Sequence, residues 1–459
     1  MEKLNTFFEK ASGFVWGLPL LILLIGGGIF LLIYSRFVPF KYFGHAIQVL
    51  RGKYDNADDE GEITHFQALM TALSSTVGMG NIAGVAVAIA AGGPGAVFWM
   101  WVSGIVGMST KFFTCSLAIL YRGKDDSGKV QGGPMYFIVE GLGKNWKFLA
   151  VFFSLAGLIG ALPVFNVNQL TQAVNDILLI PNGIQKGFFN DLVIGVILAM
   201  VTGIVILGGL DRISKTASRL VPAMVGLYFI AVLFILFVHL DVVPYYFKLI
   251  FTDAFAADNY RGDPLFGGVL GALIVLGIRR GAFSNEAGIG TAPMAHGATR
   301  TNEPIREGLV AMMGPFIDTI IVCTLTAMCI LVTGVWQTSE ANGVSLTAKA
   351  FSDTMPDFGT YILLVCIAIF SISSLFSYSY YGTKCLSFLI GTKYSHLYNY
   401  FYIASILLGA TTSLSLMINV IDTFFALMAI PTMFTTLILA PKVMRKARIY
   451  FQNLKINKA

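Results

Sequence analysis

Two short stretches carry most of the residue types that could bind something. Residues 74–91 read SSTVGMGNIAGVAVAIAA. The run is apolar enough for a bilayer, yet it holds glycines at 78, 80 and 84 and an asparagine at 81. Interrupting a membrane helix frees backbone N–H and C=O groups, which lipid cannot satisfy, so such breaks line a cavity or a ligand. Gly78 and Gly80 let the chain leave helical geometry at little steric cost. The N–H groups of Gly78, Met79 and Gly80 would then open a half-helix, an arrangement that favours a carboxylate. The carbonyls of Ser74, Thr76 and Val77 point the other way and suit a small cation. Asn81 adds a neutral amide oxygen. The competing reading is a small-residue face for close helix packing. The second stretch, SNEAGIGTA at 284–292, shares Asn-x-Ala-Gly with the first, at 81–84 and 285–288. A third, LPVFNVNQL, spaces Phe165, Asn168 and Gln169 as i, i+3 and i+4 on one helical face. Amides at membrane depth need partners, and a zwitterion supplies them, as do neighbouring helices.

The elements that must hold these residues are membrane helices. The 459 residues are 56% hydrophobic and 12% charged, with mean hydropathy +0.74; a soluble domain carries about 25% charged residues. Apolar runs of roughly 20 residues mark spans. Eleven are expected: 15–34, 65–91, 94–121, 146–178, 192–208, 221–240, 266–291, 308–335, 361–386, 400–420 and 423–440. If the basic C-terminus faces the cytoplasm, alternate loops put 22 of the 31 Lys and Arg on that side and 6 on the other. That bias predicts an outside N-terminus and a cytoplasmic C-terminus in the cell membrane. The two Asn-x-Ala-Gly spans lie five spans apart, so the second enters from the opposite side. Paired, glycine-interrupted spans in inverted halves point to a transporter's central site. All five cysteines fall in apolar segments without metal-ligand spacing and read as core residues. No small-residue cleavage site follows the first apolar stretch, so no cleaved leader is expected. The net charge of +6 follows from the loop asymmetry and gives no sign of a nucleic-acid partner.

Charges inside spans are functional candidates by default. Here they are Lys111, Arg279, Arg280, Glu286 and Asp318. Arg279 or Arg280, with Glu286 or Asp318, is expected to form ion pairs of a cytoplasmic gate; the alternative is that they line a vestibule. A channel would need filter loops or pore rings, which two unlike broken helices do not supply. An enzyme would need a nucleophile–base pair, and no Walker A run, HExxH or such pair is evident.

The stretches GNIAGVAVAIAAGGPGAVFWMW, QGGPMYFI and RRGAFSNEAGIGTAPMAHGA together resemble the alanine or glycine:cation symporter family, within the wider group of LeuT-type transporters. The resemblance covers nearly the whole chain. It implies an all-α LeuT-type fold of two inverted five-helix repeats (64–262 and 263–441), preceded by one extra span in 1–63 and followed by a basic tail, 442–459. It implies sodium-coupled symport of alanine or glycine, with proton coupling as the alternative. Thr76 to Asn81 become the unwound part of span two, with the Gly78, Met79 and Gly80 amides on the substrate carboxylate. Gly277, Ile278 and Gly281 become the matching break in span seven. A sodium site is implied at the Ser74 and Val77 carbonyls, the Phe370 carbonyl and the Ser373 and Ser374 hydroxyls. Phe165 or Phe370 would close the pocket. Two adjacent arginines near span seven's site depart from the general pattern.

Overall fold

A computed structural model describes residues 2–262, 268–341 and 343–456. Seven helices are long and apolar enough to cross a membrane, and two bent helix pairs bring the number to nine among the described residues. The protein is a multi-pass membrane protein. Spans seven and ten are not among the nine: the first runs Gly268–Asn285 and carries both arginines, and the second, Leu397–Thr411, has 15 residues. The expected start of span seven at Phe266, and residues 457–459 of the tail, lie outside the described residues.

Span two consists of His65–Thr76 and Gly80–Gly92, bent by 53°. A capping box starts it. Thr64 Oγ1 accepts from the Gln67 amide at 3.2 Å and Gln67 Oε1 accepts from the Thr64 amide at 3.0 Å. It breaks at Val77, which is extended (φ −76°, ψ 90°). Span four is interrupted too, as Lys147–Gly160 and Val164–Val174. Pro163 lies in the gap, where a residue without an N–H cannot continue the ladder. Span seven ends at Asn285 because Glu286 turns left-handed (φ 54°), followed by Gly288 and Gly290 at φ 87° and 108°. A short helix, Ala292–His296, then leads to span eight, Pro304–Val332, which is π-helical over Phe316–Cys323. The chain turns at Thr412–Ser413, so span ten ends well before the expected Val420. The last helix, Leu414–Ile456, starts before the expected Thr423. The run of Ser and Thr at 411–413 favours a turn there. Such side chains offer the backbone local bonds in place of the helical ladder.

Burial sorts the bundle into an inner and an outer layer. The most apolar window of Gly95–Leu120 (span three) is 89% buried, against 28% in Phe188–Ile206 and 33% in Gly209–Val238. Span three is therefore the core, and spans five and six present their leucines, valines and phenylalanines to lipid. Span seven lies close against span three: a Cβ on Gly277 would stand 2.5 Å from Trp99 Cβ, and one on Gly281 2.8 Å from Ser103 Cβ. Small residues permit this approach, as in other membrane helix pairs.

Candidate functional site

The broken helices meet around a cavity of about 20 Å³, lined by Thr76, Gly78, Met79 and Gly80 of span two, Phe165 and Asn166 of span four, and Phe283 and Glu286 of span seven. Tyr378 of span nine (Gly359–Ile390) and Phe425 complete the wall. The volume holds roughly one water molecule. Aromatic rings close it: Phe165 meets Phe283 edge-on at 5.6 Å, and Phe283 meets Phe425 at 5.8 Å.

Both Asn-x-Ala-Gly asparagines do the same work. Asn81 Oδ1 accepts from the Gly78 amide at 2.9 Å, and Asn285 Oδ1 accepts from the Ala287 amide at 3.0 Å. Each side-chain oxygen thus satisfies a backbone donor freed by its break. Each side-chain NH2 reaches span eight. Asn81 Nδ2 donates to Asp318 Oδ1 at 2.7 Å, and Asn285 Nδ2 donates to Thr319 Oγ1 at 3.2 Å. Ser284 Oγ donates to Asp318 Oδ2 at 2.9 Å. One buried carboxylate therefore ties span two to span seven. Lys111 is buried in span three, and the carboxylates whose charges act on it are Glu286 and Asp318.

Several expectations are corrected by this geometry. Span seven is helical through Gly277, Ile278 and Gly281; its break is Glu286–Thr291, and the glycines serve close packing instead. Asn81's oxygen faces its own backbone, and the Gly78 amide is already engaged by it. Asn168 donates to the carbonyls of Gly409 in span ten and Thr412 in the turn after it, at 3.2 and 2.6 Å, and Gln169 donates to Gln172 at 3.1 Å. Neither lines the cavity; Asn166 does. The helix restarts at Val164, so its first turn meets the cavity rather than one of its faces. Phe370 packs on Tyr228 at 5.5 Å, away from the cavity, and leaves the closing role to Phe165, Phe283 and Phe425.

Span nine's serines divide. Ser374 Oγ faces span two, 2.7 Å from where a Cβ on Gly78 would stand. Ser74 Oγ bonds Ser377 Oγ. Ser373 Oγ instead meets Met224 Sδ at 3.4 Å. Ser374 and Ser377, spaced i and i+3, share the face toward span two; Ser377 was not anticipated, though the SISSLFS spacing contains it. The Ser373 and Ser374 hydroxyls both donate to the Phe370 carbonyl, at 2.9 and 3.0 Å. Neutral hydroxyls and carbonyls gathered at one break are the donor chemistry of a hard monovalent cation.

Arg279 pairs with Asp422, not with Glu286 or Asp318. It also donates to Ser12 Oγ at 2.8 Å and stands 5.5 Å from the Trp16 ring centre, while Trp16 Nε1 donates to the Asp422 carbonyl at 2.9 Å. Arg280 makes no ion pair among the described residues, and its Nε has no hydrogen-bond partner there. Glu286 accepts from Tyr378 and Thr291. Beyond span seven's break a second unanticipated network forms, with the Glu307 carboxylate held by His65, His296 and Thr299. Asp422 and Glu307 escaped notice because each lies at the edge of an apolar run, where a charge reads as a loop residue.

A model of the sodium:alanine symporter family matches residues 1–459. The chain is 40% identical over 456 residues to the sodium/alanine symporter AgcS of Methanococcus maripaludis, covering 98% of each chain. It is 32% identical to the probable sodium/glutamine symporter GlnT of Bacillus subtilis (98% of this chain, 91% of that one). It is 33% identical to that organism's amino-acid carrier protein AlsT (93% and 88%). Among solved structures it is similar to MhsT in complex with L-phenylalanine. The TM-score is 0.59 at 13% identity, over 84% of this chain and 98% of that one, a likeness of fold with a LeuT-type neighbour.

Proposed function

Since this chain belongs to the sodium:alanine symporter family, we propose that it carries alanine or glycine together with sodium by alternating access. The family's members are transporters rather than enzymes. The observation that carries the finer reading is the pair of broken helices tied by Asp318 around one small cavity. The half-helix that opens at Met79 and Gly80 presents a dipole's positive end to a substrate carboxylate. The amide oxygen of Asn166 and the carboxylate of Glu286, both in residues that line the cavity, would take the ammonium. The close rings leave room for a methyl or hydrogen side chain once the cavity widens to admit substrate. Sodium, the second substrate, would take the carbonyls of Ser74, Val77 and Phe370 with the hydroxyls of Ser374 and Ser377, while the Ser373 hydroxyl, turned to Met224, is left out.

The mirrored work of Asn81 and Asn285 supports reading 64–262 and 263–441 as inverted repeats. With the N-terminus outside and the C-terminus cytoplasmic, the Arg279–Asp422 pair is an outer gate, and the Glu307 network closes the cytoplasmic side. Purified protein in liposomes decides the coupling. Labelled alanine should accumulate under an inward sodium gradient. Accumulation that follows a proton gradient and ignores sodium would replace this reading with proton symport.

A further inference from the structure

A second cavity, of about 430 Å³, lies at the far end of span one, between Tyr34–Tyr42 and the last turns of the C-terminal helix. Three cations line it, Arg36, Lys41 and Arg448, and no carboxylate does. Among the described residues none of the three side chains has an ion-pair or hydrogen-bond partner, although the protein's loops hold many carboxylates. Three like charges around one hollow repel each other unless an anion joins them. The volume is that of an ordinary small-ligand site.

The backbone is arranged to keep Arg36 there. Span one's helix ends with the Phe37 amide bonded to the Leu32 carbonyl at 3.1 Å and the Arg36 amide to the Ile33 carbonyl at 2.8 Å. This is the turn that glycine usually completes, because its left-handed position disfavours a side chain. Here Arg36 fills that position at φ 55°, and Phe37 follows at φ 60°. Strained conformations of this kind persist where the side chain is needed. On the opposite wall, Tyr42 and Phe451 stack at 3.7 Å with planes 8° apart and fix the C-terminal helix against the chain after span one.

The surface beside the cavity is apolar. Phe30, Ile33, Phe37 and Phe40 are all exposed; Phe30 and Ile33 lie on the helix Gly27–Tyr34 and Phe37 in the turn that follows it. A soluble anion has no use for such a rim, whereas a diacyl lipid does. We propose that this cavity binds the phosphate headgroup of an anionic phospholipid, with Arg36, Lys41 and Arg448 on the phosphate and the acyl chains along Phe30, Ile33 and Phe37. The occupant would join span one to the end of the C-terminal helix, the two parts of the chain outside the repeats.

The test compares the wild type with Arg36→Gly/Arg448→Gln. The glycine suits the left-handed turn, so loss of binding cannot be ascribed to a damaged fold. Native mass spectrometry would count bound phosphatidylglycerol against phosphatidylcholine from mixed nanodiscs, and thermal unfolding would be followed in each lipid and in inorganic phosphate. The wild type should retain phosphatidylglycerol preferentially and unfold at higher temperature in it. The double variant should bind it about ten- to thirtyfold more weakly, while unfolding in phosphatidylcholine no earlier than the wild type. Equal retention of the two lipids by the wild type, or an unchanged preference in the variant, overturns the proposal. Equal protection by inorganic phosphate overturns it as well, in favour of a soluble-anion site.

Discussion

Ser374 and Ser377 present their hydroxyls to the break in span two, while Ser371 Oγ is buried without a hydrogen-bond partner among the described residues. If the first two are sodium ligands, replacing either with alanine under-coordinates the ion. By analogy with an unmet buried polar group this costs about 1–3 kcal/mol, or roughly ten- to hundredfold in sodium affinity. Linkage then requires apparent alanine affinity to fall at limiting sodium and recover as sodium saturates. Titrating alanine at several sodium levels in Ser374→Ala, Ser377→Ala and Ser371→Ala checks this. A deficit that sodium does not rescue, or one equal in all three, returns span nine to simple packing. Gly80 is a second residue-scale test. A Cβ there would already lie 3.4 Å from the Ser284 Cα and 3.7 Å from Phe283 Cδ1. Gly80→Leu should abolish alanine binding in calorimetry while the protein elutes as a single species. Wild-type affinity in that variant would remove span two from the site.

At the scale of elements, the bundle depends on two interrupted helices held by a third. The Asp318 carboxylate accepts from Asn81, Ser284 and Thr319, so Asp318→Ala takes an acceptor from three buried donors, at about 1–3 kcal/mol for each left unmet. The variant should unfold several degrees earlier and bind alanine weakly. Asp318→Asn keeps one acceptor oxygen and should fall between the two. Identical unfolding temperatures in all three proteins would show that spans two and seven do not depend on this tie. The shared Asn-x-Ala-Gly made both breaks visible in the sequence, but not their lengths. Gly277 and Gly281 look like flexible points, yet span three passes so close that an added Cβ would stand 2.5 and 2.8 Å from the Trp99 and Ser103 Cβ atoms, so this helix pair needs their missing side chains. A glycine's use is set by its neighbour, which spacing does not reveal.

For the molecule as a whole, transport requires the two ends to open in turn. Arg279 with Asp422, Ser12 and Trp16 joins span seven, the last helix, and the bent N-terminal pair Lys3–Val15 and Leu18–Tyr34 at its bend. Removing one partner of a half-buried pair strands the other. Asp422→Asn should therefore shift the population toward the state open at that end. A cysteine placed at Ile421 should then react faster with a membrane-impermeant thiol reagent added outside, and sodium with alanine should slow it again. An unchanged labelling rate would mean that the pair does not gate. Labelling that occurs only from the cytoplasmic side would reverse the proposed orientation.

Composition and periodicity alone determined that this chain crosses a membrane many times, because lipid admits only long apolar helices. They also located the break at Val77–Gly80, since glycines and an amide have few other uses at that depth. Tertiary structure decided which polar residues meet. Asn168 and Phe370 have the right chemistry, but they turn to span ten and to Tyr228, and Asn166 stands in the cavity because Pro163 restarts its helix there. Arg279 had several acids within plausible reach along the sequence; only the packing of the last helix brings Asp422 to it. One-dimensional spacing constrains faces within a single helix, whereas partners across helices are fixed by how the helices cross, and that depends on every contact at once.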